Sequence, residues 1–117
     1  MSGKICYIEI PTTDIDASAR FYAKVFGWEI RTRQDGERAF HDPGSGVGGT
    51  WVMGRRLETE GGMVTYMMVD DIEAALGTIT AAGGHVSKGR TPLDRGDAYA
   101  TFFDPVGNLM GLYQQPR

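Results

Sequence analysis

The sequence predicts an α+β domain made of two tandem βαβββ modules, and three observations carry that prediction. The stretch "TDIDASARFYAKVFGWEI" from Thr13 is echoed by "DDIEAALGTITAAGGHV" from Asp70. Asp14, Ile15, Asp16, Ala17 and Gly27 align with Asp71, Ile72, Glu73, Ala74 and Gly84 at a constant offset of 57 residues. Further on, "FHDPGSGVGG" from Phe40 is matched by "FFDPVGNLMG" from Phe102 at an offset of 62. Finally, each copy sets an alternating extended run before one amphipathic helix and follows it with three further strands. Strand-rich halves with one helix each belong to the α+β class.

The elements follow in order. "KICYIEI" and "MVTYMMV" open the two modules as alternating runs rich in β-branched, aromatic and Met side chains, so both read as strands. Each helix start carries an acceptor followed three residues later by a carboxylate, Thr13 with Asp16 and Asp70 with Glu73, the spacing of a capping box. Ile72, Ala75, Leu76, Ile79 and Ala82 make an i, i+3, i+4, i+7 stripe, and Ile15, Ser18, Ala19, Tyr22 and Val25 make its first-copy counterpart. Gly27 and Gly84 are placed to end the helices. The last two strands of each module meet at an Asp-Pro turn, where Pro105 fixes φ and Gly107 admits a positive φ. Module one covers about residues 1–56 and module two about 62–117, in one domain spanning 1–117.

Composition narrows the function classes. The chain has 117 residues, is 41% hydrophobic and has a formal charge of −3, so it can bury a core and is a poor polyanion binder. No apolar run is long enough to span a bilayer, and the first ten residues lack a signal-peptide core. Cys6 is the only cysteine. An intrachain disulfide is therefore excluded, and a cytoplasmic setting is expected. "GSGVGG" has no Lys-Ser/Thr after it, so it reads as a hairpin and not a phosphate loop. No Ser-His-Asp pattern is present, and covalent catalysis has no support.

"IEIPTTDIDASARFYAKVFGWEI", with its Asp-helix-"FY"-"FGW" order, and the closing "FFDPVGNLMGLY" resemble the vicinal oxygen chelate superfamily. That group holds glyoxalase I, bleomycin-resistance proteins and extradiol dioxygenases, and the resemblance covers essentially the whole chain. It implies the glyoxalase/bleomycin-resistance fold: the two modules form a cupped, mostly antiparallel sheet, usually in a homodimer. Metal-using members hold a divalent ion through one ligand on the first and one on the last strand of each module. Carried over, those positions fall at Tyr7, Val64, Gly49 and Gly111. None is a usual ligand, so no metal and no other cofactor is expected. Neither His41, at the end of a strand, nor His85, after the second helix, repairs the set.

Period-two alternation on that framework supplies a ligand-binding list. Tyr7 and Glu9 are expected on the cup face of the first strand, with Cys6, Ile8 and Ile10 turned to the helix. Val64 and Tyr66 share the cup face with Met68. On the last strands Gly49 and Trp51 are expected to match Gly111 and Tyr113. The result is an aromatic and aliphatic lining floored by two glycines, a composition that suits a small apolar or aromatic molecule. Glu9 is the weak candidate for acid–base chemistry, against a structural role paired with an arginine or a tyrosine hydroxyl. Fold does not fix chemistry. The expected function is therefore metal-free binding or sequestration of a small molecule. The alternative is a lyase, isomerase or dioxygenase with a divergent metal site, or with acid–base groups Glu9 and Tyr7. Neither nucleic acid nor membrane is expected as a partner.

Overall fold

The structure is a computed structural model and describes residues 2–116. It divides into two compact units, Met1–Arg56 and Leu57–Arg117, each a βαβββ module. Module one runs β1 (Tyr7–Pro11), α1 (Ile15–Phe26), β2 (Glu29–Thr32), β3 (Arg38–His41) and β4 (Gly48–Val52). Module two repeats the order with β5 (Tyr66–Met68), α2 (Ile72–Ala81), β6 (His85–Pro92), β7 (Ala98–Phe103) and β8 (Leu109–Gln114). Each sheet is open, has four strands and is mixed. The spatial orders are β1-β4-β3-β2 and β5-β8-β7-β6, with one parallel pair (β1–β4, β5–β8) and two antiparallel pairs apiece. The expected α+β class and module order are observed.

The helix starts differ from the capping-box expectation by one residue. Asp14 and Asp71 are the N-caps; their side chains accept from the backbone N–H of Ala17 and Ala74 at 3.0 and 3.2 Å. A carboxylate at that point satisfies an orphan donor and faces the positive helix end. Gly27 ends α1 in the left-handed region (φ 71°), donating its N–H to Ala23. After α2 it is Gly83, not Gly84, that takes the positive φ, 102°. Gly84 has a packing reason instead: a Cβ there would lie 2.7 Å from the Ile79 side chain and 2.9 Å from the Phe103 carbonyl oxygen.

The core of module one is a set of packed rings. α1 turns Ser18, Ala19, Phe21 and Tyr22 inward onto the sheet. Tyr22 stacks on Trp28 (centroids 4.8 Å), Trp28 on Phe40 (4.4 Å), and Trp51 closes the group against Phe40 (4.9 Å) and Tyr22 (6.0 Å). Each such pair contributes roughly 0.5–1.5 kcal/mol beyond the area it buries. Trp51 Nε1 is buried and has no hydrogen-bond partner among the described residues, a cost that the surrounding packing offsets. Module two has a smaller-grained core. Ala98, Ala100, Phe102, Met110 and Leu112 face α2 beside Met67, Ile72 and Ile79.

The two Asp-Pro hairpins differ in length, and this corrects the offset of 62 for the strand beyond. In module two Asp104 N–H donates to Asn108 O and Phe102 lies opposite Met110. In module one Asp42 N–H donates to Val47 O and Phe40 lies opposite Gly49, one residue further along. The first hairpin therefore holds one extra residue. The structural counterpart of Gly111 is Thr50, and that of Leu112 is Trp51. Because successive side chains point to opposite faces, one residue exchanges the faces of the whole strand. Gly49 and Trp51, expected on the open face, lie on the helix side. A Cβ on Gly49 would sit 2.1 Å from Ile8 O and 2.3 Å from the Phe40 ring. Gly49→Ala is therefore expected to cost about 2–3 kcal/mol through overpacking against backbone. Urea unfolding followed by tryptophan fluorescence checks this; an unchanged midpoint would refute the helix-side placement of Gly49.

Candidate functional site

On the face of module one turned away from α1, β1 presents Tyr7 and Glu9, both exposed, with Thr50 opposite Glu9 on β4. Arg55 Nη1 donates to Glu9 Oε1 at 2.7 Å, and Arg33 donates to the Tyr7 hydroxyl. The bond to Tyr7 is the main reason that the Arg33 guanidinium titrates above its usual value. Glu9 is thus an ion-paired surface carboxylate, the structural role weighed against acid–base chemistry. His41 lies near Glu29, Nδ1 to Oε1 3.2 Å, half exposed at the sheet's far side. Cys6, expected to face the helix, is exposed just before β1.

Module two gathers a different set. On β7 the buried Ala98, Ala100 and Phe102 alternate with Tyr99, Thr101 and Phe103, which face away from α2. On β8, Leu109, Gly111 and Tyr113 share that outer face, and Tyr113 is the direct cross-strand neighbour of Tyr99. β5 adds Tyr66 and Met68 beside Gly111 and Tyr113. Val64, expected on this strand, precedes it in the connecting loop and packs against Gly61. The Tyr66 ring lies over Gly111: a Cβ there would meet its Cδ2 and Cε2 at 2.4 Å. Glycine is thus the only residue that leaves room for the ring as placed, and Tyr66 fills the space while staying 47% exposed. Its ring meets Tyr99 edge-on at 6.4 Å. Of the eight residues expected in the site, this face brings together Tyr66, Gly111 and Tyr113.

Two polar groups, Lys88 and Asp97, frame the tyrosines and were not legible from the alternation of the first and last strands. Lys88 Nζ donates to the Tyr99 hydroxyl at 2.8 Å and sits 5.3 Å from the ring centroid. That bond, and then the neighbouring Tyr99 and Tyr66 phenols, raise the Lys88 pKa. The Tyr113 hydroxyl donates to Asp97 Oδ2 at 2.7 Å. The same bond holds the Asp97 carboxyl below its usual range and pushes the Tyr113 phenol up, with desolvation adding to the latter.

The family resemblance implies a divalent ion, and the donor chemistry does not fit one. Correcting the register replaces Gly49 by Thr50, so the four positions are Tyr7, Thr50, Val64 and Gly111. A phenol and a hydroxyl with two residues that have no donor atoms cannot chelate a divalent ion, which needs several carboxylate or imidazole ligands. Among the described residues no group of three or more His, Cys, Asp or Glu gathers in a metal-binding arrangement.

The Asp97–Tyr113 bond has a defined pH window. The folded carboxyl titrates below its unfolded value, so its contribution is complete above about pH 3.9 and is lost as pH falls through the lower folded value. The folded phenol titrates above its unfolded value, so its contribution is complete below about pH 10 and is lost as pH rises through the raised one. Tyr113→Phe is expected to lower the melting temperature at neutral pH, with the gap to wild type narrowing below about pH 4. A gap that stays constant into strong acid would mean that this pair does not carry the difference.

Comparison with known proteins agrees with this architecture. Residues 4–112 match the Glyoxalase/Bleomycin resistance protein/Dioxygenase superfamily. A "Glyoxylase-like domain-containing protein" of Didymella fabae is 32% identical over 91 residues, covering 72% of this chain and 71% of that protein. CFP32 of Mycobacterium tuberculosis, provisionally named a glyoxylase, is 29% identical over 129 residues, covering 95% of this chain. The chain spans 45% of that relative's length. The fosfomycin resistance protein FosX of Listeria monocytogenes has the same fold, with a TM-score of 0.81 at 17% identity, covering 98% of this chain and 93% of FosX. Among the described residues, no helix is long and apolar enough to cross a membrane. The chain belongs to the Glyoxalase/Bleomycin resistance protein/Dioxygenase superfamily.

Proposed function

We propose that the chain is a metal-free binding protein of this superfamily, which sequesters or carries a small apolar or aromatic molecule on the outer face of module two. The observation that carries this reading is the Tyr66 ring over the side-chain-free Gly111, with Tyr99 and Tyr113 beside it. Aromatic side chains supply much contact area with few torsions to immobilise, and their polar tips fix orientation. A half-exposed ring with only a glycine beneath it can turn outward, so that a planar guest takes its place or stacks upon it. The alternative of acid–base catalysis by Glu9 and Tyr7 has less support, because arginines engage both groups. The lone exposed thiol of Cys6 suits the cytoplasm, where thiols stay reduced.

The test is a thermal-shift titration with naphthoate, naphthylmethanol and naphthylmethylamine, on protein purified without a histidine tag and dialysed against EDTA. A guest that binds only the folded chain raises the melting temperature. At least one of the three is expected to do so, and Tyr66→Ala is expected to weaken that binding about tenfold through the lost ring contact. Failure of all three, or binding that returns only with zinc, nickel, manganese or iron, would overturn the reading.

The superfamily's habit of pairing chains makes a homodimer the proposed functional unit. Light scattering at micromolar concentrations is expected to give twice the 12.8 kDa chain mass, and the mass of a single chain would refute it.

A further inference from the structure

The outer face of module two is chemically polar along its length, and that polarity bears on what it takes. At one side Lys88 Nζ and the Tyr99 hydroxyl meet at 2.8 Å. The ammonium has three N–H groups, of which Tyr99 takes one, and no carboxylate lies within ion-pairing distance of it among the described residues. Tyr99 oxygen accepts from Lys88, so its own single proton is left to donate outward. The two groups together offer a cationic and a neutral donor 2.8 Å apart. On the neighbouring strand β8 the Tyr113 hydroxyl donates its hydrogen bond to Asp97 Oδ2, so that pair offers a carboxylate and no free donor. Tyr66, on the edge strand β5, is 47% exposed, with its ring on Gly111 and the centroid of that ring 6.4 Å from the Tyr99 ring centroid.

Lys88 reaches this position through an irregular strand. β6 shifts register between Val86 and Lys88, and again between Lys88 and Thr91, so Lys88 sits between two bulges opposite Thr101. A bulge bends an edge strand and re-aims the side chain beside it, and such irregularities collect next to functional sites. Sequence alternation alone does not announce this residue.

Resting on the binding reading above, we propose that the guest of this face is an aromatic carboxylate. Its ring lies against Tyr66 over Gly111, and its carboxylate is held by Lys88 Nζ and the Tyr99 hydroxyl. Orientation follows from charge: the Asp97 carboxylate bonded to Tyr113 repels an anion, and the ammonium draws it to the Lys88–Tyr99 pair. Lys88 and Tyr99 are thereby specificity-determining residues, whereas Tyr66 and Gly111 set the affinity for any planar ring.

Isothermal titration with naphthoate and its neutral counterpart naphthylmethanol tests this, the readout being the ratio of their dissociation constants. Wild-type protein is expected to prefer the carboxylate by about tenfold, the scale of one charge-assisted hydrogen bond. Lys88→Gln is expected to bring the ratio near one, Lys88→Arg to retain most of the preference, and Tyr99→Phe to reduce it. Equal affinities in the wild type, or a preference that survives Lys88→Gln, would overturn the carboxylate assignment while leaving aromatic binding intact. If neither compound binds, this inference falls, and the binding reading falls with it only when naphthylmethylamine fails as well.

Discussion

Backbone hydrogen bonds across two Asp-Pro hairpins decide what each sheet of this protein shows. A strand's side chains alternate with a period of two, so the residue at which the returning strand re-enters the ladder fixes the face of every residue after it. In module two the turn closes from Asp104 to Asn108, and Asp104 Oδ1 accepts from the N–H groups of Val106, Gly107 and Asn108 at 2.8–3.2 Å. Asn108 in turn accepts from Glu58 N–H, which ties the segment before β5 to the same turn. In module one the closure runs from Asp42 to Val47 and spends one more residue. That single residue sends Trp51 inward and, in the matching strand, leaves Tyr113 outward.

The consequence is a division of labour between two copies of one plan. Module one invests its large rings in its own core, where Tyr22, Trp28, Phe40 and Trp51 pack ring on ring and Gly49 exists to let them close. Module two fills the corresponding space with Ala98, Ala100 and Leu112, and its tyrosines are left on the outer face. Gly111 and Gly49 look alike in the sequence and do opposite things. One makes room for a core ring against backbone; the other makes room for a ring that solvent can still reach.

The modules, their helices and the outer-face placement of Tyr66, Gly111 and Tyr113 could be read from the sequence because each rests on local spacing. The repeat fixes the helices, and alternation on β8 follows from a short, well-marked turn. The module-one strand could not be placed in the same way, because "GSGVGG" contains glycine at nearly every site where an extra residue would otherwise announce itself. Val64 was lost for a related reason, since an alternating run continues past the point where backbone pairing begins at Tyr66. Tyr99 was within reach: the small-large alternation of "DAYATFF" opposes it to Ala98 and Ala100. Lys88 was not, because its position depends on bulges in β6 that no residue pattern marks.

The uneven placement of rings also gives the molecule a built-in optical division. Both tryptophans, Trp28 and Trp51, belong to module one and are buried. Three of the five tyrosines, Tyr66, Tyr99 and Tyr113, belong to module two and lie on one face of its sheet. Emission excited at the red edge of the absorption band therefore comes from one half of the chain alone. The phenol signal is weighted to the other half, so the unfolding of each duplicate can be followed by colour without attaching a probe.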